Sequence, residues 1–185
     1  IQINQAGKTW KNIDFGGHGT SLTLQRQKKA FLCEGTNKNA VEDPDRIACR
    51  SNYLQYLDDC RKGKKQMKSK RLSLGEMVKD AAKHMRGDNT LIDAINLAWR
   101  DHDKPSHLFK DCIAMLDTSA SMTWENCPFY DAIGIALKIA ECSTLGKRTL
   151  TFSSQPAWVN LEGRETLTDM LSEVLQSQAG MSTNI

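Results

Sequence analysis

The run Cys112-Ile113-Ala114-Met115-Leu116-Asp117-Thr118-Ser119-Ala120-Ser121-Met122 decides how this chain is read. Cys112 to Leu116 is uninterruptedly apolar, the pattern of a short strand covered on both faces, and it ends in polar Asp117 to Ser121. Downstream, Phe129 to Cys142 has a helical pattern that is apolar around most of its circumference, so burial is expected, with Gly146 ending it. Arg148 to Phe152 and Ala157 to Leu161 then read as strands, and Leu167 to Leu175 as a helix closed by Gly180. Strand, helix, strand, strand, helix is the opening of an α/β sheet domain.

Open α/β sheets place their ligand sites at the carboxyl ends of strands, in the loops that lead into helices. Asp117, Ser119 and Ser121 occupy such a loop at spacings of two, so one carboxylate and two hydroxyls can converge on a point. Oxygen donors of this kind suit a hard divalent cation, and magnesium in particular takes few protein ligands supplemented by water. The plainer alternative is that Asp117 and Ser119 form an Asx turn or cap the next helix. A D-x-S-x-S match arises by chance in roughly a few per cent of chains this long. The apolar strand before it and the buried helix after it are therefore what give the motif meaning.

With that context, Ile113 to Met122 resembles the metal-ion-dependent adhesion site of von Willebrand factor A domains. The resemblance implies a Rossmann-like fold, a bound Mg or Mn ion and a partner protein that offers an Asp or Glu carboxylate to it. It also implies a threonine from a later loop, and Gly180-Met181-Ser182-Thr183 resembles that loop. By this likeness Ser119, Ser121 and Thr183 would touch the metal directly and Asp117 would act largely through bound water. The family adds an aspartate at the end of its fourth strand, so the fold is expected to be cut at Ile185 before that strand.

Upstream, the chain is expected to be mainly helical over residues 1–109, with the A-like part at 110–185. Trp10, Ile13 and Phe15 before Gly16-Gly17 suggest extended chain and a turn. Helices are expected over Leu22–Cys33 and Asp43–Asp59, the latter with Pro44 in its first turn. Ser73 with Glu76, and more loosely Thr90 with Asp93, read as capping boxes that start two more helices. Between these pairs, residues 61–71 form a basic linker with Arg61, Lys62, Lys64, Lys65, Lys68, Lys70 and Arg71 and no acid. Such a run can bind nucleic acid through phosphates, with Tyr53, Tyr56 or Trp10 supplying stacking, or can be a solvated connection.

Ser73-Leu74-Gly75-Glu76, Trp99, Leu116 to Ser119 and Leu150 to Ser154 together resemble a family of large DNA viruses and plants in which a helical region precedes a von Willebrand A domain. That family is distantly similar to the Ro-type (TROVE) proteins, which join an RNA-binding helical module to such a domain. The resemblance implies three readings: an adhesion-type module, an RNA-binding protein, or a structural component of a large viral assembly.

Composition narrows the classes further. Hydrophobic residues at 39% and charged residues at 25% are ordinary for a globular chain, and no apolar run reaches the length of a membrane span. Six dispersed cysteines without a C-x-x-C pair disfavour zinc, and with no export signal they are expected as thiols in an intracellular protein, cytoplasmic or carried in a virion. No nucleophile elbow, Walker loop or zincin helix is present, so no enzyme is expected. Phosphatases of the D-x-D-x-T type also begin with an aspartate after a strand. Here Ser119 stands where their general acid would be.

Overall fold

The computed structural model describes residues 9–17, 19–34, 42–87, 89–103, 107–119, 122, 128–152 and 155–179. Six helices are formed among them, α1 (Ser21–Phe31), α2 (Pro44–Arg61), α3 (Leu74–His84), α4 (Asn89–Arg100), α5 (Phe129–Cys142) and α6 (Leu167–Ala179). Three strands, β1 (Met115–Asp117), β2 (Arg148–Phe152) and β3 (Ala157–Asn160), make one sheet in that order. The chain packs as two units, the first being residues 1–71 with 89–102 and the second residues 72–88 with 103–185.

In the first unit α1, α2 and α4 pack on one another. Thr20 caps α1 by accepting the Thr23 N–H, and Asp43 caps α2 by accepting the Asp45 N–H, with Pro44 in the first turn as its fixed φ favours. Along α2, Cys49, Tyr53, Tyr56, Leu57 and Cys60 recur at helical spacing and are buried. Tyr53 meets Phe15 at 5.0 Å and Phe31 at 5.4 Å between ring centroids, and Phe15 meets Phe31 edge-on at 5.0 Å. The Arg46 guanidinium lies 3.8 Å from the Trp10 ring and donates to the Ala30 carbonyl in the last turn of α1, where a cation complements the helix dipole. Asp45 accepts the Trp10 and Lys11 N–H groups at 2.7 and 3.0 Å, fixing a short 3₁₀ turn over Trp10–Asn12.

The segment after α2 is tied down rather than a solvated linker. Met67 and Ser69 are buried, the Met67 N–H binds Asp101 at 2.6 Å, Gln66 accepts from the Tyr56 hydroxyl, and Lys68 donates to the Gly17 carbonyl.

In the second unit α3 packs on α5 and α6, so the sheet unit begins at residue 72 and not at the expected break after 109. Ser73 caps α3 through the Glu76 N–H, as its capping box predicts. Across the helix pair, Asp131 of α5 accepts from the Ser73 hydroxyl and the Gly75 N–H, adding a second acceptor at the positive end of α3. The crossing is close because it is lined by glycine. A Cβ on Gly134 would come within 2.7 Å of the Leu74 Cβ, and one on Gly75 would strike the Asp131 carboxylate. The looser box fares differently: α4 starts at Asn89, which puts Thr90 inside its first turn.

β1 and β2 are parallel, with Met115 beside Leu150 and Asp117 beside Phe152, whereas β2 and β3 are antiparallel. The alternation of strand side chains separates two faces. One carries Leu116, Thr149, Thr151 and Val159, all buried, on the side where α5 and α6 meet the strands. The two buried threonine hydroxyls donate to the Ala114 and Ala157 carbonyls and are thereby satisfied. The other face carries Met115 at 65% exposure and Trp158 at 60%, with Phe152 partly exposed. β1 is therefore covered on one face only, contrary to the reading of its continuous apolar run. Met115 is apolar but lies on the open side.

Candidate metal-binding loop

Asp117 is the last residue of β1, at the carboxyl end of a strand whose parallel neighbour β2 ends beside it at Phe152. The loop leaves the sheet in a fixed direction, because the Thr118 N–H and hydroxyl both donate to the Phe152 carbonyl, at 3.0 and 3.2 Å. Asp117 then turns back on the loop: its Oδ1 accepts the Ser119 N–H at 2.8 Å. The Ser119 hydroxyl donates to the same carboxylate, and the two hydrogen bonds hold the Asp117 pKa below its ordinary value of 3.8. The Ser119 carbonyl accepts the Met122 N–H at 3.0 Å, closing the next turn.

This is the Asx-turn geometry that the plainer alternative predicts. An ionised carboxylate that accepts a hydrogen bond from the serine hydroxyl leaves the serine lone pairs available to a cation, and both groups are hard oxygen donors. Asp117 and Ser119 thus fit the donor chemistry of magnesium or manganese. Ser121 and Thr183, the other two expected ligands, lie outside the described residues, as do Ala120, Trp124, Glu125 and the Gly180 to Thr183 loop. Among the described residues no group of three His, Cys, Asp or Glu side chains is gathered as a metal site, His102 and Asp103 included.

The basic run has a different environment from the one its sequence suggests. Arg61 pairs with Asp58 and Asp93, Lys62 with Asp58, and Lys65 with Asp59, while Lys68 is held by Gly17. Lys64, Lys70 and Arg71 are exposed. The acids that meet these cations come from α2 and α4, outside the run, which is why the stretch looks uncompensated in sequence. The wider charge distribution is more informative. The first unit holds sixteen Lys and Arg against nine Asp and Glu, and the second holds nine against thirteen. No sequence motif announces this division, because helix α4 returns to the first unit after α3 has joined the second.

No helix among the described residues is long and apolar enough to cross a membrane. The five described cysteines, Cys33, Cys49, Cys60, Cys112 and Cys142, are free thiols.

Comparison with known proteins gives two likenesses. Residues 111–185 match a family described as a domain of unknown function, DUF7788. Over its whole length the chain is 28% identical to an uncharacterised protein of Acanthamoeba polyphaga mimivirus, and it spans 32% of that relative. No solved structure matches.

Proposed function

We propose that the second unit is a non-enzymatic interaction module that holds a magnesium or manganese ion and, through it, a carboxylate of a partner protein. Asp117, Ser119, Ser121 and Thr183 are the residues assigned to the ion. The observation that carries this reading is the Asp117 carboxylate at the carboxyl end of β1, ionised and bonded to both the N–H and the hydroxyl of Ser119. Its support from the fold is the parallel β1–β2 pair with a buried helix between the strands, the setting in which α/β sheets carry ligands. The bound cation supplies positive charge to which an acidic side chain of the partner adds as a ligand. Isothermal titration of the longest natural form of the protein with Mn²⁺ tests the proposal: saturable binding that Asp117→Ala abolishes supports it, and no binding in the unsubstituted protein overturns it.

A second reading, RNA binding by the first unit, is favoured by that unit's excess of sixteen basic over nine acidic residues. The ion pairs of Arg61, Lys62 and Lys65 reduce what residues 61–71 add to it. Binding to single-stranded RNA that weakens steeply with salt and is impaired by neutralising Lys64, Lys70 and Arg71 would establish it. RNA binding indifferent to salt would not. A third reading, a structural component of a large viral assembly, would be favoured by finding the protein stoichiometric in a purified particle.

A further inference from the structure

We infer that Cys33 and Cys49 form a dithiol pair that a hydroperoxide closes into a disulfide, joining the end of α1 to the first half of α2. Three observations converge on this pair. Cys33 follows α1 with φ +60°, a left-handed conformation at the position where helices usually end in glycine, so a side chain is kept there against its backbone preference. That conformation delivers the Cys33 thiol onto α2, where it donates to the Arg46 carbonyl at 3.5 Å. Cys49 lies three residues beyond Arg46, one helical turn on along the same face, is fully buried, and interacts electrostatically with Cys33.

The two sulfurs differ in the way that ordered oxidation needs. Cys33 is half-buried and reachable from solvent, whereas burial pushes the Cys49 thiol up to about 11 and keeps it protonated. The Cys33 thiolate attacks the terminal oxygen of the hydroperoxide. The O–O bond breaks, an alcohol leaves (water, for hydrogen peroxide), and Cys33 becomes a sulfenic acid. The Cys49 sulfur then attacks the Cys33 sulfur, gives up its proton and displaces the hydroxyl as water. Two thiols are oxidised by two electrons and one peroxide is reduced. The Arg46 guanidinium, which favours the Cys49 thiolate, assists the second step.

Cys60 is kept apart from this chemistry, since it is buried eleven residues further along α2 against Tyr56 and Asp101. The test treats the intact, folded protein with hydrogen peroxide, then denatures it, blocks the remaining thiols by alkylation and identifies peptides by mass spectrometry without reduction. The expected product joins the peptides carrying Cys33 and Cys49 with loss of two hydrogens, is reversed by dithiothreitol, and leaves Cys60 alkylatable. Cys33→Ser should leave Cys49 fully alkylatable after the same treatment. Oxidation of Cys33 to sulfinic acid with Cys49 still alkylatable, or a disulfide that joins any other pair, would overturn the inference.

Discussion

The two units solve the packing problem by different means, and the contrast explains why the chain's net charge of +3 says so little about it. The first unit gathers Phe15, Phe31, Tyr53 and Tyr56 into one aromatic cluster between helices and carries the basic surplus on its surface. The second brings α3 against α5 through glycines, lays helices on one face of a small sheet, and carries the acidic surplus along with the Asp117 loop. Bulk holds the first together and closeness holds the second. A substitution that is severe in one has no counterpart in the other.

The largest effect is expected from Tyr53→Ala. Removing a ring that is fully buried among three others should cost about 3–5 kcal/mol, read as a fall in the denaturation midpoint of the first unit. Tyr53→Phe sharpens the point. The Tyr53 hydroxyl is buried with no hydrogen-bond partner among the described residues, so its removal should leave stability unchanged or raise it by about 1 kcal/mol. A large loss in the phenylalanine variant would mean that the hydroxyl is satisfied in solution.

In the second unit, Gly134→Val forces a side chain into the 2.7 Å approach to Leu74 and should cost about 1–3 kcal/mol by separating α3 from α5. The same substitution should leave the transition of the first unit where it was. Asp131→Ala removes the acceptor shared by Ser73 and Gly75 and should cost about 1 kcal/mol in the same denaturation experiment. If α3 were not part of this unit, neither change would affect it beyond the local helix.

These contacts also show what the amino-acid order could and could not disclose. The bounds of α5 and β2 were legible to the residue, because an apolar helical period and a five-residue strand each sit between turn formers. Ser73 announced α3 because its cap partner is three residues away. Thr90 misled by one or two residues, within the usual fraying of helix ends. What was not legible is non-local. Asp131 reaches α3 across 56 residues, and Asp93 reaches Arg61 across 32. Hydropathy alone also could not show that Met115 faces out and Leu116 faces in, since both are apolar and only their opposite faces distinguish them. Of the candidate site, only the place of Asp117 at the end of a strand was legible, and its neighbour Thr118 gained a structural role through Phe152 that no motif predicts.

The smallest effect concerns that loop. Its hydrogen bonds from Ser119 lower the Asp117 pKa, so their contribution to stability is present above the ordinary carboxylate value of 3.8 and is lost as pH falls through the lower folded-state value. A carboxyl titration followed by NMR should place the Asp117 midpoint below 3.8, and Ser119→Ala should move it upward. An unchanged midpoint in that variant would show that Ser119 does not hold the carboxylate.

The central claim is that Asp117 and Ser119 are half of a cation site rather than only a turn. Mn²⁺ titration of the longest natural form of the protein, beside its Asp117→Asn and Ser119→Ala variants, addresses it most directly. Saturable binding is expected in the unsubstituted protein, competed by Mg²⁺ and lost in Asp117→Asn. Equal Mn²⁺ binding by all three, or none by any, would contradict it and leave the loop as an Asx turn.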